Sequence, residues 1–96
     1  MQQDKLLEFE WDKGNLEKNQ KHGIENSECE EPFFDDNKVI LRDILHSGSE
    51  NRFILLGKTK RERLLFVVFT TRETKIRIIS ARDLNRKERH LYERKN

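Results

Sequence analysis

The chain has 96 residues, 33% of them hydrophobic and 40% charged, and a formal net charge of +2. That length is expected to hold one domain, residues 1–96, around one modest core. The single cysteine, Cys29, excludes an intrachain disulfide, and no apolar run approaches the length of a membrane-spanning helix.

The small net charge conceals a division. Residues 1–50 carry 6 Lys/Arg against 13 Asp/Glu, whereas residues 51–96 carry 14 against 5. A basic half of that density suits a polyanion such as nucleic acid. Solvated surface charge of both signs would give the same counts. So polar a composition would by itself suggest disorder. The apolar residues gather, however, in Phe53–Leu56, Leu64–Phe69 and Ile76–Ile79, as a small sheet requires. The polar opening Met1–Lys5 carries no leader pattern, and with the lone cysteine it points to a reducing cytoplasm.

In chain order, Leu6–Trp11 alternates and predicts a short strand. Asp12 is a suitable N-cap for a helix over Lys13–Lys21, which Gly23 would end in the left-handed conformation, with Ile24 folding back as the apolar closing contact. Lys21 and His22 fall at the C-terminal end of that helix, where its dipole favours positive charge. A second short helix is expected over Glu25–Phe34, kinked or shortened by Pro32, with Phe33 and Phe34 plugging the core. Asp35-Asp36-Asn37 reads as a turn.

Lys38–Asp43 predicts a strand, and Ile44–Asn51 a loop containing His46. Strands follow over Arg52–Lys58, broken at Gly57, over Arg63–Thr71, and over Thr74–Arg82. The run Leu64–Phe69 suits the middle of a sheet, covered on both faces. The short links make these strands an antiparallel meander. Asn85 is then the N-cap of a last helix and Glu88 its capping-box partner, with Leu84, Leu91 and Tyr92 on one side. Residues 1–5 and 94–96 are expected to fray. The order is β-α-α-β-β-β-β-α. It describes an α+β domain, a small antiparallel sheet with two helices packed on one of its faces.

Three kinds of chemistry are excluded by spacing. Gly57-Lys58-Thr59 lacks the glycine that a phosphate-binding loop needs five residues earlier, where Arg52 stands. Cys29, His22, His46 and His90 form no metal-ligand pattern. No nucleophile elbow surrounds Ser80.

What remains is a concentration of cations with a few groups able to move protons. Arg52, Arg61, Arg63, Arg77 and Arg82 belong to the sheet or its edges, and Lys58 and Lys60 to a turn. Arg77 opposes Ile76 and Ile78 on the last strand. Arg82 has the spacing of the isoleucines, so it escapes the core only through its place at the strand end. Guanidinium groups can grip phosphate oxygens in a fork. Pairing of Arg77 and Arg82 with Glu62, Glu73 or Asp83 is the structural alternative. So is a capping role for Glu88 and a packing role for Tyr92.

The segments Phe9-Glu10-Trp11-Asp12, Asn19 with Lys21-His22-Gly23-Ile24, Phe34-Asp35-Asp36, His46-Ser47 with Glu50 and Arg52-Phe53, Ile78–Arg82, and Glu88-Arg89 with Tyr92-Glu93 occur in the order of one known family. Each is weak alone, and together they are specific. The chain resembles the BrnT toxins, the ribonuclease halves of BrnT–BrnA type II toxin–antitoxin pairs. Pro32 and Asn26 depart from the more usual apolar residues of the second helix.

The resemblance implies a RelE-like fold, RNA cleavage without a metal or other cofactor, and growth arrest. It also implies a BrnA-like ribbon-helix-helix antitoxin, a 2:2 heterotetramer with it, and operator DNA bound through the antitoxin. The candidate docking surface is the acidic first half with exposed apolar residues such as Trp11. On this reading Arg82 and Arg77 stabilise phosphate, and Lys21, His22, Glu88 and Tyr92 compete for the proton-transfer roles. Arg52, Lys58, Arg61 and Arg89 bind the RNA strand. The alternative is a basic module that binds nucleic acid or protein and cuts nothing.

Overall fold

A computed structural model of the protein describes residues 7–11, 23–45, 47–48 and 50–94. The helix expected over 13–21, together with Lys21, His22 and His46, lies outside the described residues. The elements are β1 (Glu8–Glu10), α1 (Asn26–Glu30), a 3-10 turn (Glu31–Phe34), β2 (Val39–Arg42), β3 (Arg52–Lys58), β4 (Leu64–Arg72), β5 (Lys75–Asp83) and α2 (Arg86–Arg94).

The strands form one sheet in the order β1-β5-β4-β3-β2. From β2 to β5 it is the expected antiparallel meander. The fifth member corrects the expectation of a purely antiparallel sheet, because β1 pairs parallel to β5, Phe9 opposite Ile76. The sheet is therefore mixed, with β4 at its centre. Leu65 and Val67 of β4 are completely buried, as their unbroken apolar run requires.

The described helical segments lie on opposite faces of the sheet. Ile24, Cys29 and Phe33 pack with Leu55, Leu65, Val67, Phe69, Ile78 and Ala81 on the first face. Tyr92, with Leu84 and Leu91, packs with Val39, Leu56, Leu64 and Phe66 on the second. Burial of Cys29 pushes its thiol up to about 12, an effect reinforced by the Glu28 and Glu30 charges, so it behaves as a small apolar core residue.

Pro32 ends the α-helical stretch by forcing the chain into the 3-10 turn. Its ring then presses on Gly57. A β-carbon at Gly57 would come within 2.8 Å of Pro32 Cβ and 2.9 Å of Pro32 O. The glycine therefore does not break β3, which runs on through Lys58; it lets the turn approach the strand. Phe33 enters the core, but Phe34 is 64% exposed, because the turn leaves consecutive side chains pointing apart.

One irregularity decides what faces where. Val68 pairs with Ser80 but Phe69 pairs with Ile78, so β5 carries a bulge at Ile79. A bulge resets the two-residue alternation of a strand. Ile78 and Ala81 consequently share the first face despite their odd spacing. Arg82, opposite Phe66, is delivered to the second face. This corrects the expectation that Arg82 escapes the core only by standing at the strand end.

Candidate nucleic-acid interface

Arg77 and Arg82 are separated by five positions, which in a regular strand would put them on opposite faces. The bulge puts them on the same one. Arg77 pairs with Thr70, which pairs on its other side with Arg52. Arg52, Thr70 and Arg77 thus form a row across three strands. Thr70 is 1% exposed, and its hydroxyl donates to the Asn51 carbonyl at 2.6 Å, which anchors the row to the loop before β3. Toward α2 comes a half-buried row, Leu41, Ile54, Val68 and Ser80, and then the row of Leu56, Phe66 and Arg82. Arg77 and Arg82 are four β4 residues apart along the sheet, or about 13 Å of backbone.

Arg82 is held on two sides. Its guanidinium carbon stands 3.8 Å over the centre of the Phe66 ring, a cation–π contact. Its edge grips Glu88 in a fork, Nη1 donating to Oε1 and Nη2 to Oε2, both at 2.8 Å. Nη1 also donates to the Asp83 carbonyl at 3.1 Å. Glu88 in turn completes the expected capping box: it accepts from Asn85 N at 3.0 Å, while its own N–H donates to Asn85 Oδ1 at 2.8 Å. One carboxylate thereby fixes both the start of α2 and the plane of the arginine. The Arg82 hydrogen bond, opposed by burial, holds the Glu88 carboxyl below the usual range, with the Asn85 N–H adding to it. The same hydrogen bond raises the guanidinium against burial.

The partners expected for the arginines are differently distributed. Asp83 is taken by Arg63, which donates from Nε at 2.7 Å and Nη2 at 3.0 Å. Arg63 also reaches the Gly23 carbonyl at 3.1 Å and Glu28 at 3.5 Å, so it ties the start of α1 to the end of β5. Glu62 and Glu73 occupy turns with φ of 66° and 55°.

Tyr92 is 5% exposed, and its hydroxyl donates to Asp35 Oδ2 at 2.7 Å. The same carboxylate accepts from Lys58 N at 2.8 Å and, through Oδ1, from Asn37 N at 2.9 Å. Burial, then the bond to Asp35, pushes the phenol well above its ordinary value. Burial raises the Asp35 carboxyl, but the Tyr92 hydroxyl and the two N–H donors outweigh it and leave it lowered.

Lys58 and Arg61 belong to another part of the surface. Lys58 ends β3 and borders a depression of about 700 Å³ whose wall includes Glu30, Glu31, Phe34 and Asp35. Arg61, in the β3–β4 turn, lines a smaller hollow of about 210 Å³ with Glu25, Glu28 and Glu31. Arg89 is exposed on α2. The predicted cations are therefore not one cluster: Arg52, Arg77 and Arg82 share the second face, Lys58 stands at the far end of β3 opposite Leu64 and beside Asp35, and Arg61 sits against the glutamates around α1. The structural role of Asp35 and the place of Phe66 under Arg82 were not legible in the motifs, since both depend on pairing between distant strands and turns. Among the described residues no three His, Cys, Asp or Glu side chains gather in a group that could hold a metal ion.

Trp11 is half-buried against the core, and its indole N–H donates to Glu30 Oε2 at 2.8 Å. It is not the exposed apolar residue expected. Among the described residues those are Leu7, Phe34, Ile40, Ile44 and Leu45.

Residues 11–88 match the family model described as the ribonuclease toxin, BrnT, of a type II toxin-antitoxin system. The chain belongs to the BrnT family. No curated protein matches it at a significant level. Membership makes this BrnT chain a ribonuclease toxin of a type II pair, with RNA as substrate and an antitoxin as partner. The match runs from Trp11, just after β1, to the first turn of α2 and so includes Arg52, Arg77, Arg82 and Glu88. No described helix is long and apolar enough to cross a membrane.

Proposed function

We propose that the second face of the sheet binds single-stranded RNA and that the chain cleaves it without a metal. The observation that carries this reading is the bulge at Ile79, which turns Arg82 to the face already holding Arg52 and Arg77. A ribose 2′-oxygen attacks the adjacent phosphorus, the O2′–P bond forms, and the P–O5′ bond breaks. A base takes the 2′ proton, and an acid protonates the leaving O5′. Arg77 stabilises the charge on the phosphorane, with Arg52 beside it binding the strand. Arg82, offset by Glu88, contributes less charge, and Lys58, Arg61 and Arg89 contact the strand further out. Glu88 is a weak base because Arg82 holds its carboxyl low, and Tyr92 already spends its proton on Asp35. Lys21 and His22 are accordingly the groups to test first for proton transfer.

The element order and the central meander support reading the fold as RelE-like. Cleavage would arrest growth in the cytoplasm, and a BrnA-like ribbon-helix-helix antitoxin would neutralise it in a 2:2 complex that binds operator DNA. The test is incubation of purified protein with RNA in the presence of a chelator. Fragments ending in 2′,3′-cyclic phosphate are expected, with Arg77→Ala slower by about 100-fold. RNA left intact by freshly refolded protein overturns the proposal.

One observation favours a second reading, a binding module that cuts nothing: Arg82 and Tyr92 are both already engaged with carboxylates. That reading expects harmless expression of wild type and Arg82→Ala alike. Growth arrest by the wild type alone decides for the nuclease.

A further inference from the structure

Resting on that RNA-binding reading, we infer that the Phe66–Arg82–Glu88 assembly is a stacking platform for one unpaired nucleobase. Arg82 presents a plane rather than a charge. Its edge is occupied by both oxygens of Glu88, and one face lies over the Phe66 ring. Its side chain is nonetheless 39% exposed, against 18% for Glu88. Solvent therefore reaches the guanidinium mainly from the side away from the ring. A phosphate arriving there would meet the Glu88 carboxylate together with the guanidinium, so its net attraction is small. A base would meet a flat, delocalised cation whose orientation is already fixed. Stacking of bases on guanidinium planes is a general mode of single-strand recognition, and it needs no charge on the base.

The neighbouring row supports the assignment. Ile54 and Val68, half-buried beside Phe66, give the platform an apolar flank. Arg77 and Arg52 lie beyond it, about 13 Å along the sheet, a distance suited to a phosphate of a neighbouring nucleotide. The platform thus sets which nucleotide is seated while the far arginines hold the backbone. Glu88 acts through Arg82, as a positioning residue.

The experiment measures binding of short 2′-fluoro RNAs, which resist cleavage, with one abasic nucleotide moved along the strand. Cleavage of unmodified RNA is assayed beside it. The wild type is expected to lose roughly tenfold in affinity when one particular nucleotide lacks its base, the worth of one stack. Arg82→Lys keeps the charge but has no plane. It is expected to bind the intact RNA roughly tenfold more weakly and to ignore the abasic position. Phe66→Leu, with its fold checked by thermal melting, is expected to blunt the same dependence. A flat abasic scan in the wild type, or a position dependence kept by Arg82→Lys, overturns the platform. If unmodified RNA is still cleaved in that case, the ribonuclease reading stands without it. Protein that neither binds nor cleaves RNA overturns both.

Discussion

Single residues here do two jobs through one group. Glu88 caps α2 and orients Arg82, so its ionisation couples helix and strand. Its folded pKa is lowered by the Arg82 hydrogen bond. The stability it contributes is therefore fully present above its unfolded value, about 4.3, and is lost as pH falls through the folded value. Urea denaturation between neutral and acid pH is expected to show this loss in the wild type and less of it in Glu88→Gln. Equal acid sensitivity of the two proteins would count against the coupling. Tyr92 poses a related question. Tyr92→Phe removes one of the donors to Asp35 while leaving the Lys58 and Asn37 N–H groups. A destabilisation of about 1–2 kcal/mol is expected. Measured with the cleavage rate on refolded protein, a loss of activity far beyond that of the folded fraction would give the phenol a chemical role as well.

Between elements, the closest approach is that of the 3-10 turn to β3. Gly57 is needed for contact rather than for conformation, because its φ is not in the left-handed region and its missing side chain is what Pro32 occupies. Gly57→Ala is expected to cost about 1–3 kcal/mol by overpacking, readable as a lowered urea midpoint with unchanged slope. Restored stability on combining it with Pro32→Gly would trace the cost to that contact. A neutral Gly57→Ala would show that the turn yields freely. Elsewhere the elements follow local rules. Asn85 and Glu88 start α2 as their spacing predicts, and Pro32 ends α1. The apolar runs are the strands, because β-branched and aromatic residues suit a half-buried pleated surface.

On the scale of the molecule, the described charges divide between two regions. Glu25, Glu28 and Glu31, in and around α1, gather with Lys60 and Arg61, whereas Arg52, Arg77 and Arg82 occupy the second face of the sheet. Binding of single-stranded RNA is expected to weaken with salt, and each lost phosphate contact should reduce the slope of log affinity against log salt by about 0.7. Arg77→Ala should show that reduction. Arg61→Ala, beside the acidic wall, should show a smaller one. Equal slopes for both variants would mean that the RNA does not follow the sheet face.

Residue order alone determined strands β2 to β5 and the capping box of α2, since turn chemistry, periodicity and capping act over a few neighbouring positions. The family signature was equally legible, because it consists of short segments in a fixed order. Only the tertiary structure decided which side chains share a face. Ile78-Ile79 shows no strict alternation, but where the strand would bulge depends on how β4 and β1 grip β5 from either side. The pairing of Asp83 with Arg63 and of Tyr92 with Asp35 likewise joins residues 20 and 57 positions apart. Contacts of that reach are set by the packing of the whole sheet, and the face that would meet RNA is set with them.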